Sequence, residues 1–152
     1  MGNPRTLTKP QLARHIRDHV AAQLYDDSGS EIREGTAIYS LSDPREIACV
    51  RYIGQTRSPR RRFLQHLAAA RLWLPDERPW WVKSPKLLPL YSWIRELHRD
   101  GLRLPVMVIS GWAATNAAAR AAERLRIYEC LARQLPLVNV EAGILGRQIP
   151  LL

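Results

Sequence analysis

The sequence predicts an α+β fold, with a small three-stranded, mainly antiparallel sheet flanked by helices and an extra helix at the N-terminus. Short apolar stretches bounded by turn residues predict strands at 36–41, 47–53 and 105–110. Apolar residues repeating every three or four positions predict helices at 8–25, 59–73, 89–100 and 116–134. The turn-rich phrase SDPRE joins the first two strands, so these form a hairpin with a loop of about five residues.

The first helix begins at a capping box, Thr8-x-x-Gln11, in which each side chain is expected to bond the other's backbone. One apolar face repeats every four residues: Leu12, Ile16, Val20 and Leu24. DDSGS at 26–30 is a predicted loop. We therefore divide the chain into an N-terminal helical extension, 1–35, and a main domain, 36–152, and the role of the extension stays open.

The later helices carry their own boundary signals. Ser58 is the predicted cap of the second helix and Pro59 its first residue. Residues 74–88 hold three prolines without a clear period and are predicted to be a loop. Gly101 ends the third helix, whose apolar face is Leu90, Trp93, Ile94 and Leu97. The fourth helix is capped by Thr115 and stops before Pro136.

The charge of the chain points to a polyanionic partner. The 152 residues carry a net charge of +9, and only three of the basic residues are lysines. This charge favours nucleic acid first and an anionic membrane surface second. The guanidinium group of arginine binds phosphate through a planar fork, which suits phosphate recognition better than general solubility. Arginines crowd the start of the second helix, where the helix dipole favours anions instead: Arg57, Arg60, Arg61 and Arg62. An external anion explains this cluster; a solvated cationic surface is the alternative.

The sequence has no features of a membrane-spanning, secreted or zinc-binding protein. There is no stretch of about 20 apolar residues that would span a membrane, and the N-terminus has no apolar signal core. Cys49 and Cys130 stand in apolar surroundings and are interpreted as reduced core residues. No Cys/His cluster has the spacing of a zinc site. These features predict a cytoplasmic protein that does not contact a membrane.

Four polar residues have a notable spacing. Tyr39 ends the triplet Ala37-Ile38-Tyr39 on the first strand, and Tyr52 begins Tyr52-Ile53-Gly54 at the end of the second. Arg62 and His66 follow on the next helix, where positions i and i+4 share a face. This arrangement can hold a cationic and an imidazole side chain over the hairpin. The alternative for His66 is a hydrogen-bonded histidine without a chemical role.

Over about residues 36–140 the sequence resembles the GIY-YIG nuclease family. The two triplets stand where the family triplets belong, and Arg62 and His66 have the family spacing. A glutamate on a later helix and then an asparagine complete the pattern, here Glu123 before Ile127 and Asn139 in Pro136-Leu137-Val138-Asn139. Two positions depart from it: Ala37 replaces the first glycine, and Gln55 stands where a basic residue often follows the second triplet.

Glu123 competes with Glu129 for the role of the family glutamate. On a helical wheel Glu129 lies opposite the apolar face, where Arg126 and Arg133 can pair with it on the solvated side. Glu123 lies at the flank of the apolar face beside Ile127. A carboxylate there needs a partner, and a metal ion is one, so Glu123 is the preferred candidate.

The resemblance implies a metal-dependent endonuclease that hydrolyses phosphodiester bonds in DNA with one divalent ion, Mg²⁺ or Mn²⁺, bound by Glu123. Tyr39 would position or deprotonate the attacking water, and Arg62 would lower the pKa of Tyr39 and grip the phosphate. Tyr52 and His66 would orient water or phosphate, and Asn139 would hold the site in place. For Tyr52 and Asn139 a structural role is an alternative. A nuclease acting on RNA and an inactive nucleic-acid-binding module of the same fold are the alternative functions.

Further basic and aromatic residues are expected near the nucleic acid. Contacts to flanking phosphates are assigned to Arg51, Arg57, Arg60 and Arg61. Trp80 and Trp81 stack on bases in one interpretation and pack within the protein in the other, which is favoured. No second DNA-reading motif is evident, and the sequence leaves open whether the protein is a monomer or a homodimer.

Overall fold

The computed structural model describes residues 7–22, 35–75 and 79–139. Its elements follow in this order along the chain: α1 (Lys9–Ala22), β1 (Thr36–Asp43), β2 (Glu46–Thr56), α2 (Pro59–Ala69), α3 (Leu88–Arg99), β3 (Val106–Ala113) and α4 (Asn116–Ala132). The α+β class and the predicted order of elements are confirmed. The loop predicted at 26–30 lies outside the described residues. Within the described ranges, no helix has the length and apolar character needed to cross a membrane.

The sheet has the strand order β2-β1-β3, and both pairings are antiparallel. The central strand therefore has a neighbour on each side. Tyr39 on β1 faces Gly54 on β2 and Ile109 on β3. This register places the first tyrosine of the spaced set at the middle of the sheet.

Helices cover both faces of the sheet. Since side chains alternate along a strand, Ile38 and Tyr39 point to opposite faces. Tyr39 belongs to a core cluster with residues of α1, α2 and α3, among them Leu12, Ile16 and Val20 of the predicted apolar face of α1. The fourth residue of that face, Leu24, lies outside the described residues. Ile38 belongs to a second cluster with Ala119, Ile127 and Cys130 of α4. The N-terminal helix is thus packed into the same core as the sheet.

The hairpin between β1 and β2 is tighter than the predicted loop of five residues. Only Pro44 and Arg45 lie between the strands, and Asp43 pairs with Glu46. Asp43 accepts hydrogen bonds from the backbone N–H and the guanidinium of Arg45, which also forms a salt bridge with Asp100 at 2.8 Å. These polar contacts stabilise a two-residue turn within the segment that the sequence predicts to be a longer loop.

Helix α2 ends at Ala69, earlier than the predicted end near residue 73. Arg71 adopts a left-handed backbone conformation with φ 45° and so leaves the helix. The buried guanidinium of Arg95 on α3 donates to the carbonyls of Ala70, Arg71 and Leu74. This contact bonds the carbonyls that follow the helix, and it comes from a residue more than twenty positions away in the sequence.

The predicted starts of the helices and strands are confirmed to within one residue. Thr8 and Gln11 form the reciprocal capping box, with N···O distances of 2.9 and 3.3 Å. Thr115 caps α4 by accepting the N–H of Ala118 at 3.1 Å. Gly101, with φ 86°, ends α3. All three strands run further than predicted, to residues 43, 56 and 113, and α4 ends two residues early, at 132.

Candidate active site

Three aromatic side chains from three elements meet beneath the sheet. The hydroxyl of Tyr39 on β1, which is 1% exposed, shares a hydrogen bond of 2.7 Å with Nε2 of His66 on α2. The ring of Tyr52 on β2 lies with its centroid 6.2 Å from that of Tyr39 and 5.7 Å from that of His66. The fold therefore brings both tyrosines and the histidine of the spaced set into one group, in which Tyr39 and His66 are buried and Tyr52 is partly buried.

Gly54 makes room for the Tyr39 ring. A Cβ atom added at Gly54 would lie 2.5 Å from both Cζ and the hydroxyl oxygen of Tyr39. Carbon and oxygen atoms of different residues do not approach so closely, so a side chain here requires either the phenol or β2 to shift. The last glycine of the triplet Tyr52-Ile53-Gly54 is thus explained by the position of Tyr39 on the neighbouring strand.

The start of α2 concentrates positive charge. Ser58 occupies the predicted cap position, but its side chain makes no capping hydrogen bond; Pro59 is the first helical residue, as predicted. The first turn contains no acidic residue. Three of the nearby arginines are exposed: Arg57, Arg60 and Arg61. Arg62 is half-buried and turns towards Tyr39.

Arg62 and burial act in opposite directions on the Tyr39 phenol. Burial is the strongest influence and raises the pKa of Tyr39, with a smaller contribution from Tyr52. A hydrogen bond from Arg62 and its positive charge both lower this pKa, but they do not outweigh burial. The expected lowering by Arg62 is present, yet the net pKa is above the ordinary value, so Tyr39 rests as a neutral phenol.

His66 is fully buried and neutral at rest. Burial, aided by the positive charge of Arg62, lowers the pKa of His66 to about 3. Its second nitrogen, Nδ1, lies 3.4 Å from the hydroxyl of Tyr91 on α3. A neutral imidazole has one N–H donor and one nitrogen acceptor, so His66 can link the two phenols. The sequence does not indicate a role for Tyr91, because its local pattern is the same as that of the apolar residues of α3.

The lowered pKa of His66 predicts that the protein loses stability in mild acid. Between pH 6.5, the ordinary pKa, and about 3, the unfolded chain binds a proton at this residue and the folded chain does not. The free energy of unfolding should therefore fall as pH is lowered through this window, by up to about 1.4 kcal/mol per pH unit for one histidine. His98, with its pKa lowered by burial to about 4, acts in the same direction.

Urea denaturation at a series of pH values between about 7 and 4 checks this prediction. The variant His66→Gln should show a shallower dependence of unfolding free energy on pH than the wild type, because it lacks one titrating group. Equal slopes for the two proteins would show that His66 is protonated to the same extent in the folded and unfolded chains.

Glu123 is half-buried on α4 and is held by a neighbouring strand. The side-chain Nε2 of Gln55 on β2 donates to Oε2 of Glu123 at 3.1 Å. The negative charge of Glu123 also contributes to the raised pKa of Tyr39, which shows that the carboxylate lies within electrostatic reach of the phenol. Gln55, which departs from the family pattern, thus has a specific contact with the preferred glutamate.

Glu129 lies where the helical wheel places it. Its side chain is 50% exposed and forms a salt bridge of 3.4 Å with Arg126, one of the two predicted partners. A solvated pair of this kind contributes only a few tenths of a kcal/mol. The structure therefore separates the two glutamates of α4 into one on the sheet side and one on the solvent side.

A single carboxylate, that of Glu123, is compatible with binding a hydrated magnesium ion. In the parts of the chain that are described, no group of three or more His, Cys, Asp or Glu side chains could form a metal cage. Mg²⁺ keeps several waters and often binds through one or two carboxylates plus substrate phosphates. One half-buried carboxylate within electrostatic reach of Tyr39 suits that mode of binding and does not suit a structural metal site.

Asn139 fixes the edge of the sheet. Its Oδ1 accepts the N–H of Ile53 at 3.0 Å, and its Nδ2 donates to the carbonyl of Ile53 at 2.8 Å. Nearby, Nε of Arg51 donates to the carbonyl of Pro136, and the N–H of Val138 donates to the carbonyl of Arg51. The segment 136–139 therefore runs along the outer edge of β2 and holds the strand that carries the second tyrosine.

The other residues predicted to lie near the nucleic acid differ in their exposure and in their contacts within the protein. The guanidinium of Arg51 lies 5.2 Å from the Trp93 ring, in addition to its bond to the backbone at 136, so it also packs the protein. Trp81 donates to the carbonyl of Ala69 at 2.7 Å, in agreement with a packing role. Trp80 is 63% exposed and lies edge-on to Trp81, at 5.5 Å between ring centroids.

Comparison of the chain with protein-family models, curated proteins and solved structures found no match in any of the three.

Proposed function

We propose that this protein is a metal-dependent endonuclease of the GIY-YIG type that hydrolyses phosphodiester bonds in DNA. The observation that supports the proposal is the buried hydrogen bond between Tyr39 and His66, with Tyr52 packed beside it and Arg62 acting on the phenol. These four residues come from three elements, and the spacing of the sequence motif singled out all four. Their grouping combines a proton acceptor with a cation that can bind phosphate.

The surface around this group suits a polyanion. Arg57, Arg60 and Arg61 are exposed at or just before the start of α2, within five residues of Arg62. Phosphates flanking the bond to be cleaved would offset their charge, while the partial positive charge of the helix start adds to the attraction. Contacts of this kind position a nucleic acid without reading its sequence.

Tyr39 and His66 can together remove the proton of the attacking water. The water oxygen forms the new bond to phosphorus, and the bond to the leaving oxygen breaks. As the water proton passes to the Tyr39 oxygen, the phenol proton passes to Nε2 of His66, so a phenolate need not exist beforehand. The negative charge of a bound phosphate would counter the positive charge of Arg62 and raise the pKa of His66 from its resting value, which favours this transfer.

Arg62, Glu123 and Tyr52 complete the proposed site. Arg62 would hold the phosphate through its guanidinium fork. Glu123, oriented by Gln55, would hold a divalent ion, which supplies positive charge for the phosphate and the leaving oxygen when bound. Tyr52 packs against both Tyr39 and His66 and so keeps their rings in register.

Plasmid relaxation tests the proposal. The wild type should nick supercoiled DNA with Mg²⁺ and not with EDTA. Removing one group that stabilises transition-state charge typically lowers the rate about 10²–10³-fold, and we expect Arg62→Ala and Glu123→Gln to lose at least that much. Glu129→Gln is the matched control for Glu123→Gln, because it makes the same change on the solvent side of α4.

The outcomes separate the candidate functions. Equal nicking by the wild type, Arg62→Ala and Glu123→Gln would contradict the site. No cleavage by the wild type, with salt-sensitive DNA binding retained, would identify an inactive binding module. Cleavage of an RNA strand but not of the same DNA strand would change the substrate class and leave the site intact.

A further inference from the structure

Tyr91 on α3 lies outside the sequence pattern but touches the group at its centre. Its hydroxyl is 3.4 Å from Nδ1 of His66, and the two ring centroids are 6.0 Å apart. Tyr91 is 6% exposed. His66 is thus placed between two phenols, with Tyr39 at Nε2 and Tyr91 at Nδ1.

The hydrogen bond from Arg62 determines which atom is the donor in each of the hydrogen bonds that link Tyr39, His66 and Tyr91. A guanidinium has donors and no acceptor, so Arg62 donates to the oxygen of Tyr39. The single phenol hydrogen of Tyr39 is then directed to Nε2 of His66, which acts as the acceptor. In a neutral imidazole the hydrogen must then be on Nδ1, and the atom that faces Nδ1 is the oxygen of Tyr91.

We propose that Tyr91 is a positioning residue that holds His66 in the tautomer with hydrogen on Nδ1, leaving Nε2 able to take the Tyr39 proton. Its catalytic consequence rests on the proposed function, whereas the tautomer itself does not. In this arrangement Arg62 donates a hydrogen bond to Tyr39, Tyr39 donates one to His66, and His66 donates one to Tyr91. Without Tyr91 this tautomer has a buried N–H with no acceptor at that place, which is unfavourable. The other tautomer puts hydrogen on Nε2, which then cannot receive a proton.

Nitrogen-15 NMR of histidine-labelled protein at neutral pH measures the tautomer directly. The chain has 4 histidines, and the spectrum of His66→Gln identifies the His66 signals. The wild type should show a protonated Nδ1 and an unprotonated Nε2, and Tyr91→Phe should shift the hydrogen towards Nε2. Tyr128→Phe removes the same hydroxyl from α4, in the other core cluster, and should leave the His66 signals unchanged.

Cleavage kinetics supply the second readout. Tyr91→Phe should lower kcat about 10- to 100-fold with little change in KM, because a positioned proton acceptor contributes about 10²–10⁴-fold and part of it is lost. A wild-type His66 protonated on Nε2, or a tautomer that Tyr91→Phe does not change, would overturn the proposal. So would an unchanged kcat in a variant whose tautomer has shifted. If the wild type cleaves no nucleic acid but shows the expected tautomers, the proposed function fails while the role of Tyr91 in holding His66 stands.

Discussion

Tyr39→Phe is expected to reduce Mg²⁺-dependent DNA cleavage about 10²–10⁴-fold while DNA binding stays close to that of the wild type. The substitution removes one oxygen, which both accepts the water proton in the proposed reaction and hydrogen-bonds to His66 at 2.7 Å. The exposed arginines that would bind phosphates remain in place. Single-turnover cleavage and a binding titration, carried out in the same buffer, separate the two effects.

Stability must be checked alongside activity in this variant. Tyr39→Phe leaves Nε2 of the buried His66 without its partner, which costs about 1–3 kcal/mol. Rates should therefore be measured where both proteins are folded, with Tyr128→Phe as the control for loss of a phenolic hydroxyl elsewhere. A folded Tyr39→Phe protein that cleaves at the wild-type rate would remove Tyr39 from the mechanism.

Gly54→Ala is expected to abolish most of the activity and to destabilise the fold. The new methyl group would lie 2.5 Å from Cζ and from the hydroxyl oxygen of Tyr39, whose ring is buried. Either the phenol leaves His66 or β2 moves away from β1. Overpacking of this kind costs about 1–3 kcal/mol, and a displaced catalytic group commonly costs about 10²-fold in rate.

Gly111→Ala is the matched control for this substitution. Gly111 lies on β3 in the same sheet, and a Cβ atom there meets nothing within 4 Å. Both variants replace a strand glycine by alanine, so a difference in melting temperature or cleavage rate isolates the contact with Tyr39. Equal behaviour of the two variants would mean that Gly54 does not set the position of the phenol.

Features that depend on neighbouring residues could be predicted from the sequence. The capping box at Thr8 and Gln11 and the cap at Thr115 satisfy backbone N–H groups three residues or fewer away, so the local sequence contains both partners. The apolar face of α3 is likewise a local pattern, and all four of its predicted residues are buried. Short-range hydrogen bonds and periodicity were therefore enough to give the order of elements.

Features that depend on residues far apart in the chain could not be predicted from the sequence. Arg95 bonds the carbonyls that follow α2, 21 to 25 residues earlier in the chain, and no local pattern predicts that contact. Gln55 meets Glu123 across 68 positions and Asn139 meets Ile53 across 86. Tyr91 joins His66 in the same way. In the candidate site, residue types and spacing gave the principal side chains, whereas their hydrogen-bond partners required the tertiary structure.

Cleavage by the wild type in water enriched with heavy oxygen tests the central claim most directly. The account predicts Mg²⁺-dependent breaks in DNA in which each product phosphate carries one oxygen from the solvent, because water is the nucleophile and Tyr39 only transfers its proton. No break with Mg²⁺ would contradict the proposed function. A covalent protein–DNA product whose phosphate carries no solvent oxygen would contradict the proposed role of Tyr39 and point to direct attack by a side chain.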